Sequence, residues 1–286
     1  MMEFRTVVPT PDLGFLIEPF EPMLFVGSCF ADSIGRRFQD DQFRAVVNPY
    51  GVMYNPASVL HTVEKYYSTG IQDSPSTVFL TLGTNHVYRL RETGEIVDNC
   101  QKRPAALFQE EQLSVDDCTD YLRRIVDALR ARRSDVRVVF TVSPIRYRKY
   151  GYHESQLSKA TLLLAVDRLL HHYPSTVHYF PAYEIVLDEL RDYRFYQDDM
   201  LHPSPQAVEY IYQRLADVCL SPAAKQFVRE WQPLKAAFGH RPFNPDSDEY
   251  CQFLAQTRAK ATALWEKYGE VCDFSTVADG KWVEKE

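Results

Sequence analysis

The feature that most constrains the fold of this chain is a series of short apolar runs separated by longer amphipathic stretches. Five runs are rich in β-branched and aromatic residues, and they lie at 23–26, 45–47, 78–82, 136–142 and 177–180. Each run is continuous rather than alternating, which is typical of strands covered by helices on both faces of a parallel sheet. The alternation of strand and helix therefore predicts an α/β fold, a three-layer sandwich with right-handed crossovers.

The stretches between the runs carry apolar residues at helical spacing. Phe30, Ile34 and Phe38 recur every fourth residue, the segment 111–133 carries apolar residues at helical spacing, and 155–173 is apolar over a wide arc. A further helix is predicted from 206 to 220. Ser204 followed by Pro205 is a typical N-cap and first-turn pair for that helix.

The last part of the chain, residues 221–286, differs from what precedes it. Two helices are predicted there, at 223–238 and 248–268, separated by a segment rich in Pro, Asn and Asp, and no strand pattern follows. We therefore predict a main domain over 1–220 and a helical extension over 221–286 that packs on it. The helices of the extension are predicted to serve homo-oligomer contacts.

Composition excludes several classes of protein. The net charge of −7 argues against nucleic-acid binding, which needs clustered Lys and Arg. No apolar run is long enough to cross a bilayer, and the first residues lack the basic-then-apolar order of a secretion signal. We therefore expect no membrane or nucleic-acid partner and a cytoplasmic location.

Neither a metal nor a cofactor is indicated. The six cysteines are scattered without a paired spacing and are expected to be free and mostly buried; they are Cys29, Cys100, Cys118, Cys219, Cys251 and Cys272. His171 and His172 are adjacent and would point in different directions on a helix, which does not suit zinc. Phosphate-loop and dinucleotide fingerprints are absent, so nucleotide enzymes are disfavoured.

The segment "MLFVGSCFADSIGRRF" places Ser28 where the first strand gives way to a helix. Gly27 permits a sharp turn, so the Ser28 side chain is predicted to lie at the carboxyl edge of the sheet, beside the positive end of the helix. That position suits a nucleophile. The alternative is that Ser28 is a plain N-cap, because serine is a leading cap residue.

A serine nucleophile needs a base and a group that orients the base. The segment "YQDDMLHPS" supplies candidates: His202 as the base and Asp199, three residues earlier, as its partner. Asp198 is the alternative partner. Asp-x-x-His is also a common spacing by chance, so a loop that leads into a helix explains the same residues.

Two further loops could stabilise a developing oxyanion. Gly83 ends the third strand and is followed by Asn85, whose amide could donate to an oxyanion, and Gly51 follows the second strand. Turns that need Gly and Asn would look the same. The candidate groups nevertheless all fall after strands, at the edge where open α/β sheets bind ligands.

Six motifs taken together resemble the GSCFA domain family, which is similar to the SGNH, or GDSL-type, hydrolases. The resemblance covers about residues 5–220 and is carried by "VGSCFA", "NPYGVMYNP", "TLGT" with "VYR", "NCQKRPA", "TVSPIRYRK" with "QLSKATLLLAV", and "DDMLHPS". It implies a flavodoxin-like, five-stranded parallel sheet in the order 2-1-3-4-5. It also implies a serine hydrolase site, with Ser28 as nucleophile, His202 and Asp199 completing the triad, and Ser28, Gly51 and Asn85 as oxyanion donors.

The sequence departs from the superfamily pattern in its third block. The usual Gly-x-Asn-Asp is replaced by Gly-Thr-Asn-His at 83–86, and Cys29 lies beside the serine rather than replacing it. We expect Cys29 to pack inward at the start of its helix. Tyr88, Ser143, Arg146 and His153 are predicted to line the mouth of the pocket, with a solvated loop as the alternative for the arginine.

The predicted function is hydrolysis of a carboxylic ester through an acyl-enzyme, without a cofactor. An acetyl ester on a carbohydrate is the substrate class that superfamily analogy favours. One alternative is a non-catalytic module that binds carbohydrate or protein, which the 18 Tyr, 17 Phe and 3 Trp also suit. Acyl transfer to a sugar or peptide is another.

Overall fold

A five-stranded parallel sheet forms the centre of the molecule. The computed structural model describes residues 4–69 and 74–269, together with the backbone of 277–278 and 281–282. The central strands are β1 (Met23–Gly27), β2 (Ala45–Val47), β3 (Thr77–Leu82), β7 (Arg137–Val142) and β8 (Val177–Tyr179). A smaller antiparallel sheet contains β4 (His86–Leu90), β5 (Ile96–Val97) and β6 (Phe108–Gln112).

The central sheet has the strand order β2-β1-β3-β7-β8, with every pair parallel. Counted along the chain among these five strands, that order is 2-1-3-4-5. All five residues of β1 and all six of β3 are buried, which explains why their sequences are continuously apolar. The predicted parallel sheet and its order are confirmed.

Helices cover both faces of this sheet. They are α1 (Cys29–Asp40), α2 (Pro56–Ser68), α3 (Val115–Arg132), α4 (Tyr152–His172), the single turn α5 (Ala182–Glu184), which continues as a π-helical turn over Ile185–Glu189, and α6 (Pro205–Cys219). Leu24 and Val26 face a core built with α2, α3 and α4. Met23 and Phe25 face a second core built with α1 and α6. Successive strand residues thus serve opposite faces, as β geometry requires.

The small sheet was not predicted. β4 pairs with β6 over five residues, from His86↔Gln112 to Leu90↔Phe108, and with β5. The sequence of β6, FQEEQ, is polar, and Phe108 is the one buried residue of its five. The helix predicted from 111 is therefore wrong at its start: α3 begins after Ser114, whose side chain forms a capping box with Asp117.

The two helices predicted in the C-terminal extension are present as α7 (Pro222–Phe238) and α8 (Asp248–Lys267). Trp231 and Trp265 pack in a core between them that also takes in Phe20 and Phe227. Two two-residue strands follow, β9 (Val277–Ala278) and β10 (Lys281–Trp282), so the expectation of no strand there is wrong. The domain boundary at 220 and the oligomer contacts stay predictions.

No helix among the described residues has the length and apolar character to cross a membrane. The cytoplasmic location stays a prediction. The five described cysteines are free, but only Cys118 and Cys219 are buried, so the expectation of mostly buried thiols is wrong for this part of the chain. Cys272 lies outside the described residues.

Candidate active site

The turn between β1 and α1 depends on a glycine. Gly27 has φ +148°, and a Cβ atom at this position would lie 2.2 Å from the carbonyl oxygen of Thr81 on β3. The backbone N–H of Ser28 then donates to that same carbonyl at 3.2 Å. Any larger residue at 27 would push β1 away from β3, so Gly27 determines where Ser28 lies.

Ser28 lies at the strand-to-helix turn and caps α1. Its Oγ accepts a hydrogen bond from the N–H of Phe30 at 3.3 Å, so the capping role is realised in the structure. Capping uses one lone pair and leaves the hydroxyl proton free for another partner. The role of Ser28 as a nucleophile stays a prediction.

Ser28 contacts a second buried serine. The Ser28 hydroxyl donates to Oγ of Ser143, which follows β7, at 3.0 Å. Ser143 Oγ also accepts from the N–H of Ile145 at 3.3 Å. Both serines are at least 99% buried, so this hydrogen bond is shielded from water. The structure thus brings together two of the predicted site residues.

Asp199 and His202 form a close pair. His202 Nδ1 lies 2.6 Å from Asp199 Oδ2, and the other carboxylate oxygen accepts the N–H groups of His202 and Leu201 at 3.0 and 2.8 Å. The backbone N–H bonds of His202 and Leu201, with the imidazole, hold the pKa of Asp199 down at about 2. An ionised carboxylate only accepts, so Nδ1 carries the proton and Nε2 keeps its lone pair.

The β7–α4 loop connects the two halves of the site. Ser143 binds Ser28, and three residues later the N–H of Arg146 donates to the carbonyl of Leu201, the neighbour of His202, at 3.1 Å. Three residues of extended chain span at most about 10 Å, so both halves lie at the same edge of the sheet. Between residues 28 and 202 themselves, both of which are described, the structure has no hydrogen bond.

All three predicted oxyanion donors already have acceptors within the protein. The Ser28 N–H donates to Thr81 and the Gly51 N–H donates to the carbonyl of Asn48 at 2.9 Å. The amide Nδ2 of Asn85 donates to the carbonyl of Leu113 at 2.8 Å. The oxyanion roles stay predictions, and each requires a donor to change partner or, for Asn85, to use its second N–H.

Helix α4 holds the loop after β3. The Nζ of Lys159 donates to the carbonyl of Gly83 at 2.6 Å, and Ser158 Oγ accepts from the N–H of Asn85 at 3.0 Å. Lys159 is only 2% exposed, and this burial lowers the pKa of its ammonium group to about 7. The loop geometry therefore depends on a buried amine that has no carboxylate within ion-pair distance among the described residues.

Sequence reasoning missed Tyr54. Its carbonyl accepts the N–H groups of both Gly83 and Thr84 at 2.8 Å, and its hydroxyl lies 3.6 Å from Cys29 Sγ. Burial raises the pKa of the Tyr54 phenol. The signal was available in "NPYGVMYNP", where Tyr54 precedes the N-cap Asn55 of α2.

The expectation that Cys29 packs inward is wrong. Its thiol is partly exposed and contacts Tyr54. The buried stripe of α1 runs through Phe30, Ile34 and Phe38, and residue 29 lies about 100° around the helix from residue 30.

The side chains of the remaining predicted pocket residues, Arg146, Tyr88 and His153, have different surroundings. The Arg146 guanidinium lies 4.1 Å from the ring centroid of Tyr196. The Tyr88 hydroxyl is 3.0 Å from that of Tyr150 on the small-sheet side, and His153 is exposed in the first turn of α4. Within the described part of the chain, no hydrogen bond or ion pair joins Tyr88 or His153 to Ser28 or His202, so their pocket roles stay predictions.

A metal site was not found among residues 4–69 and 74–269: no three His, Cys, Asp or Glu side chains there are arranged to hold an ion. Among these residues, Asp198 forms no hydrogen bond or ion pair with His202. The preference for Asp199 as the partner of His202 therefore agrees with the geometry, while its catalytic role stays a prediction.

Three of the solved structures that are similar to this chain are named as a lipolytic protein or as carbohydrate esterases. One is a member of the lipolytic G-D-S-L family from Veillonella parvula, 12% identical, covering 69% of this chain and 97% of that one with a TM-score of 0.45. The second is a family 3 carbohydrate esterase from Talaromyces cellulolyticus. It is 12% identical, the match covers 73% of this chain and 98% of that one, and the TM-score is 0.41. The third is a family two carbohydrate esterase from Clostridium thermocellum in complex with cellohexaose. It is 11% identical, the match covers 70% of this chain and 64% of that one, and the TM-score is 0.44.

Among curated proteins, nothing matches this chain. Family models do match. The model described as the GSCFA family matches residues 22–74 and 71–215, and the one described as the GSCFA domain protein, C-terminal domain, matches 231–279. The first match includes Ser28, Ser143, Asp199 and His202 and extends over more than half of the sequence, so the chain belongs to the GSCFA family.

Proposed function

We propose that this protein is a serine hydrolase of the SGNH, or GDSL, type that cleaves a carboxylic ester. The observation that carries the proposal is the bridge made by residues 143–146, which bind the Ser28 hydroxyl at one end and the His202 loop at the other. An alcohol, an imidazole and an ionised acid on one sheet edge are the groups that acyl transfer needs.

In the proposed mechanism, Ser28 leaves Ser143 and turns its hydroxyl toward His202. Nε2 of His202 takes the hydroxyl proton while Ser28 Oγ attacks the ester carbon. Collapse of the tetrahedral intermediate breaks the bond to the alcohol, which leaves with the proton from His202. Water then attacks the acyl-enzyme with His202 again as base, and releases the acid and free Ser28.

Oxyanion stabilisation is assigned to the N–H groups of Ser28 and Gly51 and the amide of Asn85. Because each now binds a protein acceptor, substrate binding must compete with the contacts to Thr81, Asn48 and Leu113. The present conformation is thus a resting state in this proposal. The family resemblance is the reason to propose a small acyl group, such as acetate on a carbohydrate. In the alternative to hydrolysis, a sugar hydroxyl takes the place of water and accepts the acyl group from Ser28.

The proposal is tested with a fluorophosphonate probe and with p-nitrophenyl acetate. Ser28→Ala should abolish labelling and lower kcat/KM on the order of 10⁴-fold or more, as removal of a triad nucleophile does. Cys29→Ala is the matched control, because it changes the adjacent side chain without touching the serine. Retained activity in Ser28→Ala with loss in Cys29→Ala would assign the nucleophile to the thiol and refute the proposal.

A second candidate, a non-catalytic binding module, is favoured by one observation. Ser28 is only 1% exposed and the three predicted oxyanion donors are all engaged, so the site is closed as it stands. A binding module would show no labelling and no ester hydrolysis in the wild type, yet would retain a cellular or carbohydrate ligand. Labelling of the wild type at Ser28 would eliminate this candidate.

A further inference from the structure

A cavity of about 500 Å³ lies between α2 and the loop after β5, and neither Ser28 nor His202 lines it. Its wall includes Tyr50 and Met53 from the β2–α2 loop, His61 and Lys65 from α2, and Asp98 and Arg103 from the loop. A volume of this size matches pockets that bind small molecules, which span about 300–1,000 Å³.

Two cations of the wall have no acidic partner. Lys65 Nζ lies 4.2 Å from the Tyr50 ring centroid, and the Arg103 guanidinium lies 5.5 Å from the Phe108 ring centroid. Across the described residues, neither cation is within ion-pair distance of a carboxylate, although acids outnumber bases in this chain by 39 to 32. The two charges are therefore available to an external anion.

Among the described residues, Asp98 is the only acid of the wall, and it is already engaged. Its Oδ1 binds His61 Nδ1 at 2.8 Å, which orients the ring and raises the pKa of the imidazole. The other ring nitrogen of His61 is left for a ligand. The neighbouring residue Thr62 also belongs to the cavity wall, and its buried hydroxyl has no hydrogen-bond partner within the described part of the chain.

The loop that carries Arg103 is held in an unfavourable conformation. Gln101 and Lys102, neither of them glycine, have φ of 51° and 58°, which is uncommon for such residues. The turn is closed by the Arg103 N–H on the Cys100 carbonyl, and Asn99 Oδ1 accepts the Gln101 N–H. Strain of this kind persists where the surrounding structure fixes it, and here it presents Asn99, Gln101 and Arg103 to the cavity.

We propose that this cavity binds the anionic oxygen group, phosphate or carboxylate, of a sugar-sized polar molecule. Lys65 and Arg103 bind the anion, and His61, Asn99 and Gln101 hydrogen-bond to the polar body beside the Tyr50 ring. The net charge of −7 disfavours the binding of anions to the surface as a whole. Anion binding at this cavity therefore depends on the two local cations, Lys65 and Arg103. The proposal does not depend on chemistry at Ser28.

The test is calorimetric titration of the full chain with inorganic phosphate at constant ionic strength. Lys65→Gln and Arg103→Gln should each weaken binding about tenfold, since each removes one charge-assisted contact. Lys260→Gln is the matched control, because it removes an exposed lysine on α8 that is not part of the cavity. Ser28→Ala should bind phosphate as the wild type does, even if the proposed hydrolase function fails.

Four further compounds, glucose 6-phosphate, glucuronate, acetate and glucose, identify the source of the anion. Glucose 6-phosphate binding more tightly than phosphate supports a phosphorylated ligand, and glucuronate binding more tightly than acetate supports a carboxylate; glucose alone should bind weakest. The proposal is overturned if the wild type binds neither anion, or if the Lys65 and Arg103 variants bind phosphate as well as the Lys260 control does.

Discussion

At the scale of single residues, the acid next to His202 decides how the imidazole can act. Asp199 uses one carboxylate oxygen for two backbone N–H groups and the other for Nδ1 of His202, so the carboxylate, the loop and the ring form one unit. The low pKa of Asp199, about 2, keeps its carboxylate ionised at neutral pH. A base oriented in this way presents Nε2 rather than Nδ1 to a substrate.

Asp199→Asn tests this role with little change in shape. The new amide donates to Nδ1 instead of accepting from it, which forces the other tautomer and removes the lone pair from Nε2. We expect kcat for p-nitrophenyl acetate to fall on the order of 10⁴-fold, as in other triads with the wrong tautomer. Circular dichroism checks that the fold is kept.

Asp198→Asn is the control, since it removes the same charge from an exposed neighbour that forms no hydrogen bond with His202. It should leave kcat within about twofold. Equal losses in the two variants would contradict the assignment of Asp199.

Local patterns made part of the site predictable. The Gly27–Ser28 turn and the Asp199–His202 pair each lie within a few residues of sequence, where spacing determines geometry. The Ser28–Ser143 hydrogen bond, the contact of Tyr54 with the Gly83 loop and the engaged amide of Asn85 join residues from different elements. No spacing rule reaches such partners, because packing of whole elements sets them.

At the scale of elements, the loop after β3 is positioned by a buried lysine on α4. Lys159 binds the Gly83 carbonyl, and burial has lowered its pKa from 10.5 to about 7. Between these two values the unfolded chain holds a proton that the folded chain does not. Stability from this group is therefore lowest at and below pH 7 and rises as the pH increases toward 10.

Unfolding in urea at pH 7.5 and 9.0 measures this contribution. The wild type should gain about 2 kcal/mol relative to Lys159→Met over this interval, at about 1.4 kcal/mol per pH unit. Buried thiols such as Cys118, whose pKa is raised to about 12, act equally in both proteins and cancel. Lys260→Met replaces an exposed lysine and should show the same change in the free energy of unfolding as the wild type. If the free energy of unfolding of Lys159→Met also changed by the same amount as that of the wild type, Lys159 would be charged in the folded protein.

Elements with continuous apolar runs were predictable, and half-exposed ones were not. Strands β1 and β3 were predictable because burial on both faces leaves a continuous apolar run. The small sheet escaped because β6 reads FQEEQ and β5 has two residues. These strands are stabilised by pairing with β4, which a polar sequence does not reveal.

At the scale of the whole molecule, a buried aspartate attaches the C-terminal helices to the main domain. Asp41, at the end of α1, accepts from Tyr212 on α6 at 2.7 Å and from Gln232 and Lys235 on α7 at 3.0 and 2.9 Å. Trp231 adds a hydrogen bond to the Asp40 carbonyl at 2.9 Å. One carboxylate thus joins α1, α6 and α7, so the extension and the Ser28 helix are mechanically connected.

Asp41→Asn should therefore loosen the extension. Removing the charge leaves Lys235 and Arg37 without their buried partner. We expect the free energy of unfolding to fall by about 3 kcal/mol. This value is at the low end for a buried ion pair because the Lys235 side chain is 30% exposed. The matched control is Asp40→Asn, whose carboxylate is 43% exposed and pairs only at 3.8–3.9 Å, so a loss below about 1 kcal/mol is expected. Tryptophan fluorescence during urea unfolding reports on this junction, because Trp231 and Trp265 lie in the α7–α8 core. Equal midpoints for the two variants would show that the apolar core alone, without Asp41, holds the helices in place.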